Sequence, residues 1–219
     1  MRSEGSIRAA QMESTQLTEP DVALTDYLLA LEAAVFALLV WNGGHSEHFR
    51  VPFTIFFGAT AMAAAAGGTV HGFFAGATTT AGVALWRLTL VALGVTALAA
   101  WMIGAQMLLP AGPARVVQFA AAAVAAIYTI IVVAVDDRFW IAIVHYLPPT
   151  FVMLAGFAVA AARTRSGSAF GGLLGMVLTI VAAVVQQRRI ALHPKYFNHN
   201  ALYHAIQAIA LGLIYVGAR

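Results

Sequence analysis

Residues 83–109 read VALWRLTLVALGVTALAAWMIGAQMLL, a run in which Arg87 is the only charge. A helix needs about 20 mostly apolar residues to cross the roughly 30 Å of a bilayer's hydrocarbon, and this run exceeds that length. It is too long for a strand, and it lacks the polar face that a soluble amphipathic helix turns to water. A membrane-spanning helix is the reading that remains.

Outward from it, six more runs follow the same rule: Val22 to Trp41, Pro52 to Phe74, Val116 to Val135, Phe139 to Ala162, Ala169 to Gln187, and Ala201 to Gly217. Turn-forming or charged residues separate them, namely Asn42-Gly43-Gly44, Ala75 to Gly82, Pro110 to Pro113, Asp136-Asp137-Arg138, Arg163 to Ser168 and the polar stretch Arg188 to Asn200. The break at Asp136 is the shortest, and there two spans could run on as one bent helix. The fold expected is all-α, an integral membrane bundle of seven transmembrane helices over residues 21–219. Residues 1–20 are polar and mixed in charge, unlike a signal peptide, and read as a solvated tail. Within that tail Thr18-Glu19-Pro20-Asp21 has the character of a helix entrance, with carboxylates at the positive end of the helix dipole.

Composition agrees with the spans. Hydrophobic residues make up 61% and charged residues 10%, with a mean hydropathy of +0.84, against roughly a quarter charged in soluble domains. With no cysteine, disulfides, thiolate metal sites and Cys nucleophiles drop out, so a metal would need His, carboxylate or amide ligands. The formal charge of +3 comes from Arg residues scattered between spans, which suits topology anchors and not nucleic-acid binding. Arg2, Arg8, Arg138, Arg188, Arg189 and Lys195 fall on the N-terminal side against Arg50, Arg115, Arg163, Arg165 and Arg219 on the other, a small excess that favours a cytoplasmic N-terminus in a bacterial inner membrane. Glycines four apart, at Gly68, Gly72 and Gly76 and at Gly171 and Gly175, allow close helix packing within the chain or between copies in a homo-oligomer.

Seven spans put alternate connections on one side, and the N-terminal side then collects most of the reactive groups. It receives Asp26, His71, Arg87, Asp136, Asp137, His145, Gln186, Gln187, His199, Asn200 and His204, whereas the opposite side has His45, Glu47 and His48 in one loop. Ionisable groups in a bilayer cost roughly 2.5–3.5 kcal/mol each at its centre and less near its ends, so this clustering is itself economical. The same cost makes each of them a functional hypothesis. Asn200, His204, Gln207 and Leu211 lie on one face of the last span, while His199 is about 140° from His204. Asp26 and Glu32 in the first span are expected either to form an ion site or to pair with Arg87, and Glu32 to have a polar partner on another helix.

A His ending span 2, within Gly68-Thr69-Val70-His71-Gly72, and a His in the stripe opening span 7, within Asn200-Ala201-Leu202-Tyr203-His204, give the chain its resemblance. It resembles the superfamily of alkaline ceramidases and adiponectin-type receptors, and also bacterial membrane proteins with the same two patterns. The first resemblance implies a zinc-dependent amidase or esterase acting on membrane lipids, with zinc held by a span-2 His and a His-x-x-x-His pair in span 7. Carried over residue by residue, it implies His71 and His204 as zinc ligands, with Asn200 where the family has its first span-7 His and Gly67 where it has a Ser. The family's span-3 acid has no counterpart, since no Asp or Glu lies between Glu47 and Asp136. We expect His71, His204 and His199 as ligands, with Asn200 or His145 as substitutes, and Asp26 or Asp136 as general base, alongside His145.

Two alternatives stay open beside this hydrolase. Histidines on different spans could hold haem, and the Asn-His-Gln stripe could simply tie helices together in a non-catalytic receptor, lipid-binding module or assembly partner. Retinal chemistry is disfavoured because the only lysine, Lys195, lies in a loop.

Overall fold

The computed structural model describes residues 17–43, 47–74 and 79–219. Seven helices follow in order: α1 Pro20–Asn42, α2 Glu47–Thr69 extended by a π-helical turn Val70–Phe74, α3 Thr80–Leu108, α4 Ala111–Ala134, α5 Phe139–Thr164, α6 Gly167–Gln187 and α7 His199–Ala218. All seven are long and apolar enough to cross a membrane, and there is no strand among the described residues, only an isolated bridge between His193 and Phe197. The chain breaks at Asp136 into two helices, as the charge pair there predicts. His45 and the tail up to residue 16 lie outside the described residues.

Local chemistry sets the ends. Pro20 opens α1, where its missing N–H costs nothing. The Thr79 and Ser166 hydroxyls accept from the Gly82 and Ala169 amides at the starts of α3 and α6, and the Asn198 side chain accepts from the Asn200 and Ala201 amides to start α7. α5 ends on Arg165 in the left-handed conformation.

Six helices close a ring in the order α1, α2, α3, α5, α6, α7 and back to α1, with α4 outside it, packed on α3. Accordingly α4 buries only Ala114, Ala121, Ala125, Tyr128 and Val132, and it turns Val116, Phe119, Ile127 and Ile130 outward. Apolar exposure of that kind suits lipid, where the drive to bury such side chains is absent and close packing does the holding. Backbones approach where glycine permits. A Cβ on Gly68 would lie 2.8 Å from the Asp26 Cβ, and one on Gly175 would lie 2.7 Å from the Ala210 carbonyl oxygen. The glycine rows read from the sequence are thus used, at Gly68, Gly72 and Gly175, to seat α1 on α2 and α7 on α6; Gly76 lies outside the described residues.

The interior divides along the membrane normal. Away from the N-terminal side it is filled by Phe53, Phe56, Phe57, Met153, Phe157, Met176 and Leu211. Towards the N-terminal side it becomes polar.

Candidate functional site

The polar end is assembled from the starts of α1 and α7 and the end of α2. His204, one turn into α7 and almost fully buried, has its Nε2 3.2 Å from Asp26 Oδ1 and its Nδ1 3.2 Å from Thr25 Oγ1. Two adjacent residues of α1 therefore grip both nitrogens of one imidazole. The Thr25 hydroxyl has a single proton, and it points at the Asp21 and Val22 carbonyls, 2.9 and 3.0 Å away. It therefore accepts from Nδ1–H, which leaves Nε2 facing the carboxyl. A neutral His204 beside an ionised Asp26 would set two lone pairs against each other, so one proton lies between Oδ1 and Nε2.

His71 is next to this pair but engaged elsewhere. The π-helical turn that carries it closes its bonds to i+5 and so offers carbonyls to other partners. Thr18 N donates to the Gly72 carbonyl at 3.0 Å and Glu19 N to the His71 carbonyl at 3.2 Å, while Glu19 Oε2 stands 2.5 Å from His71 Nδ1. Residues 17–19, the last of the segment read as a solvated tail, are in fact a strap bonded across the end of α2. Gly72, the residue after His71, packs against α1, where a Cβ on it would lie 3.2 Å from the Ala23 Cβ.

The remaining polar groups also pair across elements. Asp21 Oδ2 accepts from the Asn198 amide at 2.9 Å, Tyr27 and Thr69 share a hydrogen bond of 2.9 Å, Gln186 Nε2 donates to Asn200 Oδ1 at 3.3 Å, and Gln207 Nε2 donates to Thr179 Oγ1 at 3.3 Å. His199 is the first residue of α7, half-buried.

The structure thus brings together Asp26 and His204, with His71 alongside, and separates the others. Asp136 is clamped in the α4–α5 connector by Arg138, whose side chain donates to it at 2.8 Å; that hydrogen bond holds the Asp136 carboxyl below the usual carboxylate range. Arg87 pairs with Asp137 at 3.4 Å, not with Asp26 or Glu32. Among the described residues the partner expected for Glu32 is missing: its buried Oε2 has no hydrogen-bond partner there, and the side chain lies against Gly212 of α7, which has no side chain to offer. Thr25 is a participant that the sequence reading passed over, and Glu19, expected only as a helix-entrance carboxylate, is one in a second role as the partner of His71. Thr25 could have been found from its place beside Asp26 at the depth of His204; the pairing of Glu19 with His71 carried no such signal.

As a zinc shell the donors do not fit. No three His, Asp or Glu side chains gather to hold a metal among the described residues, since His204 is gripped on both nitrogens, His71 binds Glu19 and Asn200 binds Gln186.

His145 stands apart on α5, facing α3 and α4. Its ring stacks on Tyr128 with centroids 4.1 Å apart and planes at 10°, and its buried Nε2 has no hydrogen-bond partner among the described residues. It forms part of the wall of an apolar groove of about 640 Å³ between these helices.

One family model, that of a family of unknown function, matches residues 22–219, which takes in all seven helices but the first two residues of α1. No curated protein and no solved structure matches the chain.

Proposed function

The chain belongs to the family of unknown function DUF6962, and we propose that it acts there as a non-catalytic, lipid-binding membrane protein whose polar cluster ties its helices together. The observation that carries this reading is the way the cluster closes on itself. Asp26, Thr25 and His204, then Glu19 and His71, then Asp21 and Asn198, spend their hydrogen bonds on one another across α1, α2 and α7. Such ties are worth about 0.6–2 kcal/mol each within a bilayer. Lipid is the ligand because the groove beside α4 is apolar and lies along membrane-spanning helices. The small Lys and Arg excess on the N-terminal side and the bacterial resemblance lead us to put the protein in a bacterial inner membrane, N-terminus inside.

A second reading keeps the hydrolase. It is favoured by one geometric fact, the hydroxyl, imidazole and carboxyl of Thr25, His204 and Asp26 in line at 3.2 Å each, an arrangement of nucleophile, base and orienting acid. Lipid esters and amides would be its substrates, with Thr25 first having to release the Asp21 carbonyl.

Purified protein incubated with a panel of lipid esters and amides, beside Asp26→Asn, separates the two readings. We expect no product above a protein-free control and a lower melting temperature for the variant. Product formed by the wild type and lost in a variant of unchanged stability would establish the hydrolase.

A further inference from the structure

We propose that a pocket on the side of the bundle away from the N-terminus, between the start of α2, the end of α3 and the start of α4, holds the head group of a net-anionic phospholipid, with its phosphate on Arg115. The inference rests on the lipid-binding reading above and adds a head-group site to it.

The pocket has a volume of about 320 Å³ and is lined by His48, Gln106, Arg115 and Gln118, with Ala111 and Ala114 between them. That is the low end of the roughly 300–1,000 Å³ of small-molecule sites, room for a head group and not for a whole lipid. On α4 the lining residues Ala111, Ala114, Arg115 and Gln118 fall at i, i+3, i+4 and i+7, one face of the helix. Arg115 and Gln118 are the only charge and the only amide side chain of α4, and both are spent on this pocket, while Val117, Ala121 and Val124, on a different face, line the apolar groove beside α5.

The lining is rich in donors and, among the described residues, holds no acid. Arg115 offers five N–H groups and no acceptor, and His48 and Gln118 add N–H groups of their own. Gln106 Oε1 is buried, which takes that side chain's acceptor out of the pocket. Carboxylates are found on His71, Arg87, Arg138 and His204; none among the described residues is on Arg115, which is exposed. Its planar fork matches two oxygens of a phosphate. With no acid in the lining to hold an ammonium, a net-negative head group is preferred to a zwitterionic one. α4 also begins here without a side-chain cap on its first amides, and that helix end adds to the same positive field.

Depth fits the same ligand. α4 has 24 residues, about 36 Å at the rise of a helix against roughly 30 Å of hydrocarbon, so its ends reach the interface. Arg115 is its fifth residue, and Gln106 lies two residues before the end of α3. A guanidinium on a long stem rooted there lifts its charge to the level of the lipid phosphates. Towards the bilayer centre the pocket's face of α4 continues as Ala122 and Ala125, whose small side chains leave a shallow lane. On α3, Val95, three turns before Gln106 on the same face, is exposed. One acyl chain lies along that lane beneath its head group.

The test is native mass spectrometry of the full chain in detergent with equal amounts of dioleoyl phosphatidylglycerol and dioleoyl phosphatidylcholine, which share their tails and differ in net charge. We expect the wild type to retain the anionic lipid over the zwitterionic one by roughly fivefold, the contribution of one Arg at the interface. Arg115→Gln, at an exposed position, should bring the two lipids to near equality. Arg163→Gln, which removes an exposed cation in the last turn of α5 on the same side of the bundle, should leave the preference as it was. Equal retention of the two lipids by the wild type, a preference that survives Arg115→Gln, or one that falls as far in Arg163→Gln overturns this site and leaves the lipid-binding reading standing. An inorganic phosphate adduct formed without lipid and lost in Arg115→Gln, with no preference between the lipids, would make this a free-anion site and overturn the lipid assignment. If neither lipid is retained above the level of an unrelated membrane protein, the site and the lipid-binding reading both fall.

Discussion

His204 is gripped by two neighbours on one helix, and the consequence can be measured. Removing either partner of a buried pair leaves the other without compensation, so Asp26→Ala and His204→Ala should each destabilise the protein, and the double variant should cost less than the sum. A double-mutant cycle in a reversible unfolding assay should return a coupling of about 0.6–2 kcal/mol; a coupling of zero would mean that the two side chains do not interact. Glu32 offers the opposite case, an acid within the span whose Oε2 has no hydrogen-bond partner among the described residues. Glu32→Leu should raise the melting temperature, because it removes a cost and breaks no hydrogen bond among the described residues; a fall would reveal a partner or a role. In the α4–α5 connector, where the Asp136 carboxyl is held low by Arg138, Arg138→Ala should move the Asp136 titration up towards the ordinary carboxylate range, followed by the NMR shift of its side-chain carbon. The sign follows from linkage: a depressed folded-state value favours the fold above the unfolded value, and that contribution fades as pH falls through the folded one.

Between helices, contact is decided by what is absent from the side chains. α1 reaches α2 because Gly68 leaves room for Asp26, and the same approach sets Asp26 where α7 can present His204. Gly68→Val should therefore push α1 away and break the Asp26–His204 pair along with the packing, lowering stability by about 1–3 kcal/mol as overpacking does. Thermal unfolding checks the size, and a smaller coupling between Asp26 and His204 in the Gly68→Val background checks the mechanism. The spans themselves could be read from length and hydropathy, since Val83 to Leu109 and its six counterparts each lie within a few residues of a helix. The π-helical turn at Val70–Phe74 could not, because its energetic justification is the strap of residues 17–19 bonded to its carbonyls, a contact with a distant part of the chain.

At the scale of the whole molecule, the ring of six helices with α4 outside it accounts for where polar and apolar residues go. The ring buries the Asp-His pair at one end and the phenylalanines away from it, and α4 closes one side of a groove open to lipid. Placing α4 outside also means that it meets the bilayer over most of its surface.

What the sequence determined by itself is the all-α membrane architecture, the breaks between spans and the gathering of Asp26, His71 and His204 on one side. Those follow from the length of a bilayer-crossing helix and from the alternation of connections, which need no knowledge of neighbours. Only the tertiary structure decided who pairs with whom. His204 and His71, expected from the sequence as ligands of one metal, go to Asp26 and Glu19 instead of one centre; Arg87 goes to Asp137; and His145 faces a groove on the far side of α3. The physical reason is that hydropathy determines whether a segment enters the membrane, while the rotation of each helix and its choice of neighbour depend on where glycines let backbones close up, and that is a property of pairs of helices.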